Sequence, residues 1–385
     1  MLSSFLSVFV VAAAVLASAM CCHAADAPTR LRVYIGSASA KEGGRIVLCE
    51  LDLHTGVLSE PTIAGDKLNP SFLAVHPNRK FLYTFATSGD FDPKTTGGVA
   101  AFAIDAATGR LTPLNTRPSH GLGPCHVSVD ATGSAVLVAN YGGGSAASLP
   151  IGADGRLGQA ASVLKFEGSS VNKRRQERPH THSINVDPAN RYAFAADLGL
   201  DRIFIYKLDT ATATLTPNDP PFAAVAPGSG PRHLAFHPTG PFAYVCNELS
   251  NDVTAFQYDA AQGTLTTMQT IATLPEPVAG NSTAEIQVHP SGKFVYVSNR
   301  GHDSIAIFTV DPATGKLAAA GHAQTGGKTP RHFGIDPTGQ FLLAANQASN
   351  DVFVFRIDQT TGALMPTGQS IKVDTPLCVK FVAMD

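Results

Sequence analysis

The segment Pro231-Arg232-His233-Leu234-Ala235-Phe236-His237-Pro238-Thr239-Gly240 decides the fold of this chain. It starts with an arginine and a histidine, continues as a short apolar run and ends in a Pro-Thr-Gly turn. This order is typical of a β-strand that has a polar leading end and is followed by a tight turn. Variants of the segment recur along the sequence, which indicates a repeat architecture. The other copies begin at Pro70, Pro124, Pro179, Thr283, Pro330 and Pro376.

The spacing of the copies fits the blades of a β-propeller. The residues that end the first six copies stand at positions 77, 131, 188, 238, 290 and 337, which are about 50 residues apart. A four-stranded blade needs a unit of about this length, whereas most solenoid repeats are shorter. Alternating apolar residues and turn signals predict the four strands of one unit at 232–237, 242–246, 252–258 and 265–271.

The two ends of the chain complete each other. Residues 31–36 match the second strand of a unit, but no first strand precedes them. The seventh copy, at 378–382, lies close to the C-terminus and has no unit of its own. The sequence therefore predicts an all-β, seven-bladed β-propeller over residues 31–385. A C-terminal strand would join the N-terminal blade and close the ring, so that no sheet edge stays exposed.

Composition and the N-terminus limit the class of protein. Charged residues make up 15% of the chain and the net charge is −2, which argues against a nucleic-acid partner. The apolar run at 5–17, followed by small residues, predicts a signal peptide over 1–24. We therefore expect a periplasmic or secreted protein that leaves the membrane after cleavage. If the run is not a signal, the location is cytoplasmic.

Four cysteines lie outside this leader, and each falls in a strand of a different repeat: Cys49, Cys125, Cys246 and Cys378. They are predicted to be buried free thiols. Because no Cys-x-x-Cys is present, neither a structural zinc site nor a redox pair is expected.

The polar leading ends of the repeats are the first set of candidate site residues. First strands line the central channel of a propeller, so these ends are expected to meet at one mouth. Packing alone does not require cations and imidazoles in a narrowing channel, so the cluster indicates a functional site. The residues are Ser71, His126, His180, His182, Arg232, His233, Glu285, Arg331, His332 and Cys378.

The loops after the second strands supply the next set. A recurring Asn in these loops can cap a turn, whereas Glu248 and Arg300 add charge and are better candidates for ligand contact. From both sets we predict that substrate is bound by His126, Asn140, Asp197, His233, Glu285, Asn299, Arg331 and His332. Glu248, Glu285, Asn299 and Asp197 could also meet a divalent cation, but they lack a ligand spacing signature. No metal or other cofactor is predicted.

Two loops have open interpretations. The glycines at 142–144 are not a phosphate loop, because no Gly-Lys-Ser/Thr follows; they allow either a close approach of ligand or a flexible turn. The polar insertion at 168–178 precedes His180. It is either a lid that attracts an anion or an ordinary solvated loop.

Six short segments combine into a specific set of motifs. They are Pro179-His180-Thr181-His182-Ser183, Gly230-Pro231-Arg232-His233, Asn247-Glu248-Leu249, Ala284-Glu285-Ile286, Ser298-Asn299-Arg300-Gly301-His302-Asp303-Ser304 and Pro330-Arg331-His332-Phe333. In this order the chain from Leu31 to Asp385 resembles the propeller-type 6-phosphogluconolactonase family, which includes fungal carboxy-cis,cis-muconate lactonising enzymes. The resemblance implies a seven-bladed propeller that hydrolyses, or reversibly forms, a lactone ring.

By motif, the resemblance implies catalytic roles for His180 or His182, Arg232, Arg300 and Glu248. Lactone opening needs a polarised water, a stabilised oxyanion and a proton for the leaving alkoxide. A histidine would act as base or acid with Glu248 orienting it or sharing the proton transfers, and the arginines would bind the anionic parts of the substrate. No Gly-x-Ser-x-Gly is present, so direct attack by water is expected.

Two other functions remain open. One is a lactonising cycloisomerase that closes the ring of an unsaturated diacid. The other is a non-catalytic propeller that binds a small ligand or a protein at its mouth, since a fold does not fix a function. The predicted export also departs from the family, because phosphorylated gluconolactone is an intracellular intermediate; this bears on the substrate more than on the reaction.

Overall fold

The computed structural model describes residues 28–39, 43–68, 70–87, 89 and 91–384. The predicted signal peptide at 1–24 lies outside these residues. Within them the strands form seven antiparallel sheets of four strands each. The innermost strands of neighbouring sheets contact one another all the way around a ring. The predicted seven-bladed propeller is therefore confirmed.

Each blade contributes one strand at each distance from the axis. The innermost strands are β4 (Ala74–Val75), β8 (Pro124–Val129), β12 (Thr181–Val186), β16 (Pro231–Phe236), β20 (Ser282–Val288), β24 (Pro330–Ile335) and β28 (Pro376–Ala383). The second strands are β1 (Arg30–Ser39), β5 (Phe81–Ala86), β9 (Ala135–Asn140), β13 (Tyr192–Asp197), β17 (Phe242–Asn247), β21 (Phe294–Arg300) and β25 (Phe341–Asn346).

The outer half of each blade consists of its third and fourth strands. The third strands are β2 (Gly43–Asp52), β6 (Gly98–Ile104), β10 (Ser145–Pro150), β14 (Arg202–Asp209), β18 (Asp252–Asp259), β22 (Ser304–Val310) and β26 (Asp351–Ile357). The fourth are β3 (Thr62–Leu68), β7 (Leu111–Pro118), β11 (Ser162–Lys165), β15 (Thr214–Ala224), β19 (Thr264–Ala272), β23 (Leu317–Gln324) and β27 (Leu364–Lys372). In the fifth blade, which contains β16 to β19, the strand limits predicted from sequence differ from the observed limits by at most one residue.

The C-terminal strand closes the ring as predicted. β28 pairs antiparallel with β1, from Leu31 opposite Ala383 to Ser37 opposite Pro376. The first blade is thereby built from both ends of the chain. The inner edge of β1 is paired, and the innermost wall of the channel becomes continuous.

A repeated tyrosine ties neighbouring blades together. Tyr34, Tyr83, Tyr244 and Tyr296 lie on second strands and are fully buried. Each hydroxyl donates to a glycine carbonyl in the next blade: 2.7 Å to Gly109, 3.1 Å to Gly155, 2.9 Å to Gly315 and 2.8 Å to Gly362. These glycines have φ between 67° and 80°, a region that other residues rarely adopt. The contact satisfies a buried hydroxyl and fixes the spacing of the blades.

The cysteines behave as the sequence indicates. Cys49, Cys125, Cys246 and Cys378 are all free thiols, and all but the half-buried Cys125 are buried. In the described part of the chain no helix is long and apolar enough to cross a membrane.

Candidate active site

A cavity of about 510 Å³ opens at the end of the channel where the innermost strands begin. We call it the mouth cavity. Its lining combines charged side chains with the backbone of two glycines: Gly123, Cys125, Tyr141, Gly142, Arg175, His182, Glu248, Ser282, Arg300 and Arg331. The predicted residues His182, Glu248, Arg300 and Arg331 thus share one cavity.

Irregularities in the innermost strands mark one residue at the mouth end of each of four blades. In four blades the pairing with the second strand skips a single residue, and these residues are Cys125, His182, Arg232 and Arg331. Such a bulge bends the strand and redirects the side chain of the extra residue. The repeat therefore offers the same position four times and fills it with a thiol, an imidazole and two guanidinium groups.

Glu248 organises the positive charge of the cavity. Its Oε1 lies 2.6 Å from Nη2 of Arg175, and its Oε2 lies 3.0 Å from Nε of Arg232 and 3.1 Å from Nη2 of Arg300. Burial raises the pKa of Glu248, but Arg300, Arg232 and Arg175 together outweigh burial and hold this pKa at about 2. The carboxylate is therefore ionised at neutral pH and fixes three guanidinium groups in place.

Arg331 is the cation that the protein leaves available. Its side chain lines the mouth cavity, yet this guanidinium forms no hydrogen bond or ion pair with any described residue. Burial and the like charges of Arg232 and Arg300 lower its pKa to about 10, so it stays charged at neutral pH. Four guanidinium groups then face the single carboxylate of Glu248, and the cavity carries an excess of positive charge that suits an anion.

The structure separates the two candidate histidines. His182 lines the cavity, with Nε2 4.0 Å from Oε2 of Glu248 and Nδ1 3.9 Å from Sγ of Cys125. His180 stacks on Tyr141 with ring centroids 4.5 Å apart, and its nitrogens contact the Tyr141 carbonyl at 3.2 Å and Glu177 at 3.1 Å. His180 is absent from the cavity lining. Of the two, His182 alone is placed to meet a bound ligand.

His182 is neutral at physiological pH. Its pKa lies well below its usual 6.5 because of burial, the positive charge of Arg232 and the neighbouring His233 and Arg331. The ring of His233 is 5.2 Å away. A neutral imidazole in a positively charged cavity can accept a proton from water but does not hold one beforehand.

One charged residue of the cavity wall, Arg175, is not identified by the repeat pattern. Arg175 lies in the insertion at 168–178, and its Nη2 reaches both Glu248 and, at 3.2 Å, the hydroxyl of Tyr141. The insertion is anchored by Gln176, a fully buried side chain that donates to the Leu198 carbonyl at 2.9 Å. The concentration of arginines in the insertion was a signal for a charged wall, but nothing in the repeat indicated which arginine faces inward.

A second group of predicted residues lies deeper in the channel. His233 Nδ1 is 2.8 Å from Oε2 of Glu285, and His332 Nε2 is 3.5 Å from the same oxygen. Nη1 of Arg232 lies 3.2 Å from His233 Nε2 and also contacts the Ala284 carbonyl. His126 packs against His233 with ring centroids 5.3 Å apart. The polar leading ends therefore do not share one mouth, because the side chains next to the bulges point down the channel.

Three further predicted residues make hydrogen bonds that hold loops of the protein in place. Asn140 donates to the Ser119 carbonyl at 3.0 Å, and Asn299 donates to the Thr273 carbonyl at 3.0 Å. Asp197 accepts from the His180 amide and the Thr181 hydroxyl. All three are fully buried outside the mouth cavity, in the turn-fixing arrangement that such loops favour. Their part in substrate binding stays a prediction.

The structure shows why the loop at 142–144 needs glycine, and it bears on the metal hypothesis. A Cβ on Gly142 would lie 3.0 Å from the Leu122 carbonyl oxygen, and one on Gly143 would lie 2.8 Å from the Leu122 nitrogen. The loop therefore needs glycine for close backbone packing beside the cavity. Among the described residues, no three His, Cys, Asp or Glu side chains gather in a way that could hold a metal ion.

Comparison with known proteins places this fold in one class. The family model described as "Lactonase, 7-bladed beta-propeller" matches residues 32–381. The chain belongs to this family of propeller lactonases.

Individual relatives agree with the family. The chain is 39% identical to a 6-phosphogluconolactonase of Bacillus subtilis over 301 residues, which cover 78% of this chain and 83% of that protein. A 6-phosphogluconolactonase of Formosa agariphila is 35% identical, with 78% and 85% coverage. The solved structure of a periplasmic gluconolactonase from Pseudomonas aeruginosa superposes with a TM-score of 0.82 at 32% identity, over 92% of this chain and 100% of that one.

Proposed function

We propose that this protein hydrolyses an anionic sugar-type lactone, as a 6-phosphogluconolactonase does, in the mouth cavity. One observation carries the proposal: a neutral buried imidazole, His182, shares a cavity with the unpaired guanidinium of Arg331 and the arginines held by Glu248. Such a cavity offers a base for water, a cation for an anionic substituent and donors for an oxyanion. The names of the relatives support the lactone as substrate class.

The reaction starts with proton transfer to His182. As the imidazole takes a proton from water, the water oxygen forms a bond to the lactone carbonyl carbon, and the carbonyl oxygen becomes an oxyanion. Arg300 lines the same cavity and stabilises the negative charge that develops, while Arg331 binds the anionic substituent of the substrate. When the intermediate collapses, the ring C–O bond breaks and the imidazolium returns the proton to the leaving alkoxide. The product is a hydroxycarboxylic acid, which releases the second proton of the water to solvent and becomes a hydroxycarboxylate.

Glu248 and Arg232 hold the machinery in place in this proposal. A carboxylate with a pKa of about 2 is a poor proton carrier, so Glu248 acts by orienting three arginines rather than by transferring protons. Arg232 is almost fully buried, and its Nε and Nη1 bond to Glu248 and His233. It contributes its charge through this fixed position, which also keeps His182 neutral.

We also propose that the protein acts in the periplasm or outside the cell. The leader at 1–24 reads as a signal peptide in the sequence. A similar structure bears the name of a periplasmic gluconolactonase. An exported enzyme would meet a sugar lactone outside the cytoplasm, and its anionic substituent need not be a phosphate.

The experiment is an acid-release assay with purified protein on a lactone panel that includes D-glucono-1,5-lactone and its 6-phosphate. His182→Asn should lose at least about 100-fold in kcat, the usual size of an acid–base contribution. His54→Asn, which changes an exposed histidine, is the matched control. Wild-type rates for His182→Asn would overturn the assignment. Absence of hydrolysis together with an ultraviolet signal on muconates would instead indicate the cycloisomerase.

A further inference from the structure

The channel holds a second cavity, of about 280 Å³, beyond the layer of Arg232. We call it the inner cavity. It extends to Phe236 and Val288, the last residues of β16 and β20, whereas the mouth cavity lies where these strands begin. Arg232 separates the two spaces, because it bonds to Glu248 on one side and to His233 on the other. A ligand in the inner cavity would therefore not overlap a substrate at the mouth.

Lys380 brings an unpaired positive charge to the inner cavity. It lies on the closing strand β28, is half-buried, and lines this cavity. Its ammonium group sits 4.8 Å from the centre of the Phe72 ring and forms no ion pair or hydrogen bond with any described residue. Because no acidic side chain among the described residues pairs with this cation, it is available to a bound oxyanion.

Two further donors face the same space without an acceptor. Nδ2 of Asn185 is buried and makes no hydrogen bond. Nδ1 of His126 accepts the Ile184 amide at 3.3 Å, so its neutral ring carries the hydrogen on Nε2. No described residue accepts from that Nε2. Buried donors are nearly always paired, and together with Lys380 these groups present three donors to one ligand.

The cavity also contains one acceptor. Oε2 of Glu285 is shared by His233 and His332, but Oε1 receives no hydrogen bond from the described residues. Glu285 is itself an anion in this cavity and repels a second negative charge, so the cavity suits a ligand with one negative charge better than a phosphate dianion. Oε1 additionally requires a ligand group that donates, and Phe72 supplies an apolar face.

We propose that the inner cavity is a second binding site, for a small hydroxycarboxylate. Its carboxylate binds Lys380, Asn185 and His126, and a hydroxyl donates to Oε1 of Glu285. Any lactone hydrolysis yields a hydroxycarboxylate, so the product of the proposed reaction belongs to this class. Only the identity of the natural ligand rests on the proposed function; the binding site itself does not.

The test is titration calorimetry of D-gluconate into the full-length protein and into variants of each cavity. Lys380→Met keeps an unbranched side chain and removes the charge beside Phe72, so it should weaken the inner site at least tenfold. Arg331→Met should weaken only the mouth site. Lys207→Met, an exposed lysine on β14, is the matched control and should bind as the wild type does.

Ligand analogues and a second variant separate the outcomes. D-Glucose lacks the carboxylate and propionate lacks the hydroxyl, so each should bind the Arg331→Met protein at least tenfold more weakly than gluconate. Asn185→Asp places a negative charge where the carboxylate binds and should also abolish inner-site binding, with an unchanged melting temperature. Gluconate binding that Lys380→Met and Asn185→Asp leave intact would overturn the proposal, even if the enzyme hydrolyses lactones. Binding abolished by Arg331→Met alone would overturn it as well.

Discussion

Arg232 and Arg331 show how one position of a repeat acquires two functions. Both are the extra residue of a bulge at the start of an innermost strand. Arg232 is almost completely buried and bonds to Glu248, His233 and the Ala284 carbonyl. Arg331 has none of these partners and lines the mouth cavity. The difference lies in what the neighbouring blades supply, since only Arg232 is beside Glu248 and His233.

This contrast predicts different effects of the same substitution. Arg331→Met should raise KM roughly 10- to 100-fold, the worth of a charge-assisted hydrogen bond, with an unchanged melting temperature. Arg232→Met should instead lower the free energy of unfolding by about 3 kcal/mol, because it strips partners from a buried network. Steady-state kinetics and denaturant unfolding of both variants check this. Equal losses of stability would show that Arg331 has a partner in solution.

The low pKa of His182 predicts the acid limb of the activity. The base works in its neutral form, and burial together with Arg232, His233 and Arg331 holds its pKa well below 6.5. After subtraction of spontaneous hydrolysis, kcat/KM should therefore stay constant from pH 8 to below 6.5 and fall only at lower pH. A midpoint at or above 6.5 would assign the proton transfer to another group. His54→Asn should not change the profile.

At the scale of elements, the sequence predicts strands well and side-chain direction poorly. The strand limits of the fifth blade come within one residue because alternation and turns are local signals. The bulges are not local signals, since one skipped residue in the pairing decides whether a side chain faces the mouth or the deeper channel. His182 and His180 looked equivalent for this reason. Arg175 could not be identified, because its position depends on contacts made across blades.

The insertion at 168–178 contributes Arg175 to the wall of the mouth cavity, and Gln176 is its anchor. The buried amide accepts the Asn172 backbone hydrogen at 3.1 Å and donates to the Leu198 carbonyl. Gln176→Leu removes both bonds and should release Arg175 from Glu248, with a loss of about tenfold in kcat/KM. The exposed Lys173→Ala is the matched control. Unchanged kinetics in Gln176→Leu would show that Arg175 has no role in the reaction.

At the scale of the molecule, the repeats made the ring predictable from sequence. The repeats begin with a second strand that lacks an innermost partner and end with an innermost strand that lacks a blade. The ring closes when these two strands, β1 and β28, pair. The polar composition of the channel was also predictable from the leading ends of the repeats, but its division into two cavities was not. That division requires the side chain of Arg232 to cross the channel, and no repeat spacing encodes this.

The buried channel histidines make the stability of the whole ring depend on pH. Burial lowers the pKa of His126, His182, His233 and His332, the last to about 3. The unfolded chain therefore binds more protons below pH 6.5, and stability present above 6.5 is lost as pH falls towards the folded-state values. Each histidine contributes a slope of up to about 1.4 kcal/mol per pH unit.

Denaturant unfolding between pH 7.5 and 5 measures this slope. His126→Asn keeps an acceptor for the Ile184 amide but cannot be protonated. It should therefore reduce the slope of unfolding free energy against pH by up to about 1.4 kcal/mol per pH unit. His54→Asn should leave the slope unchanged, because that side chain is exposed in the folded protein. A wild-type slope in His126→Asn would show that His126 titrates alike in the folded and unfolded chain.

The pairing of β28 with β1 has a consequence for how the protein is made. Until Pro376 and the residues after it have left the ribosome, the nascent polypeptide can form at most an open arc whose first and last blades do not meet. Lys380 arrives with the same final strand, so the deeper chamber of the axial passage is not finished earlier. Truncated translation products would therefore lack this chamber, and quality control would meet them as chains whose β1 has an unpaired inner edge.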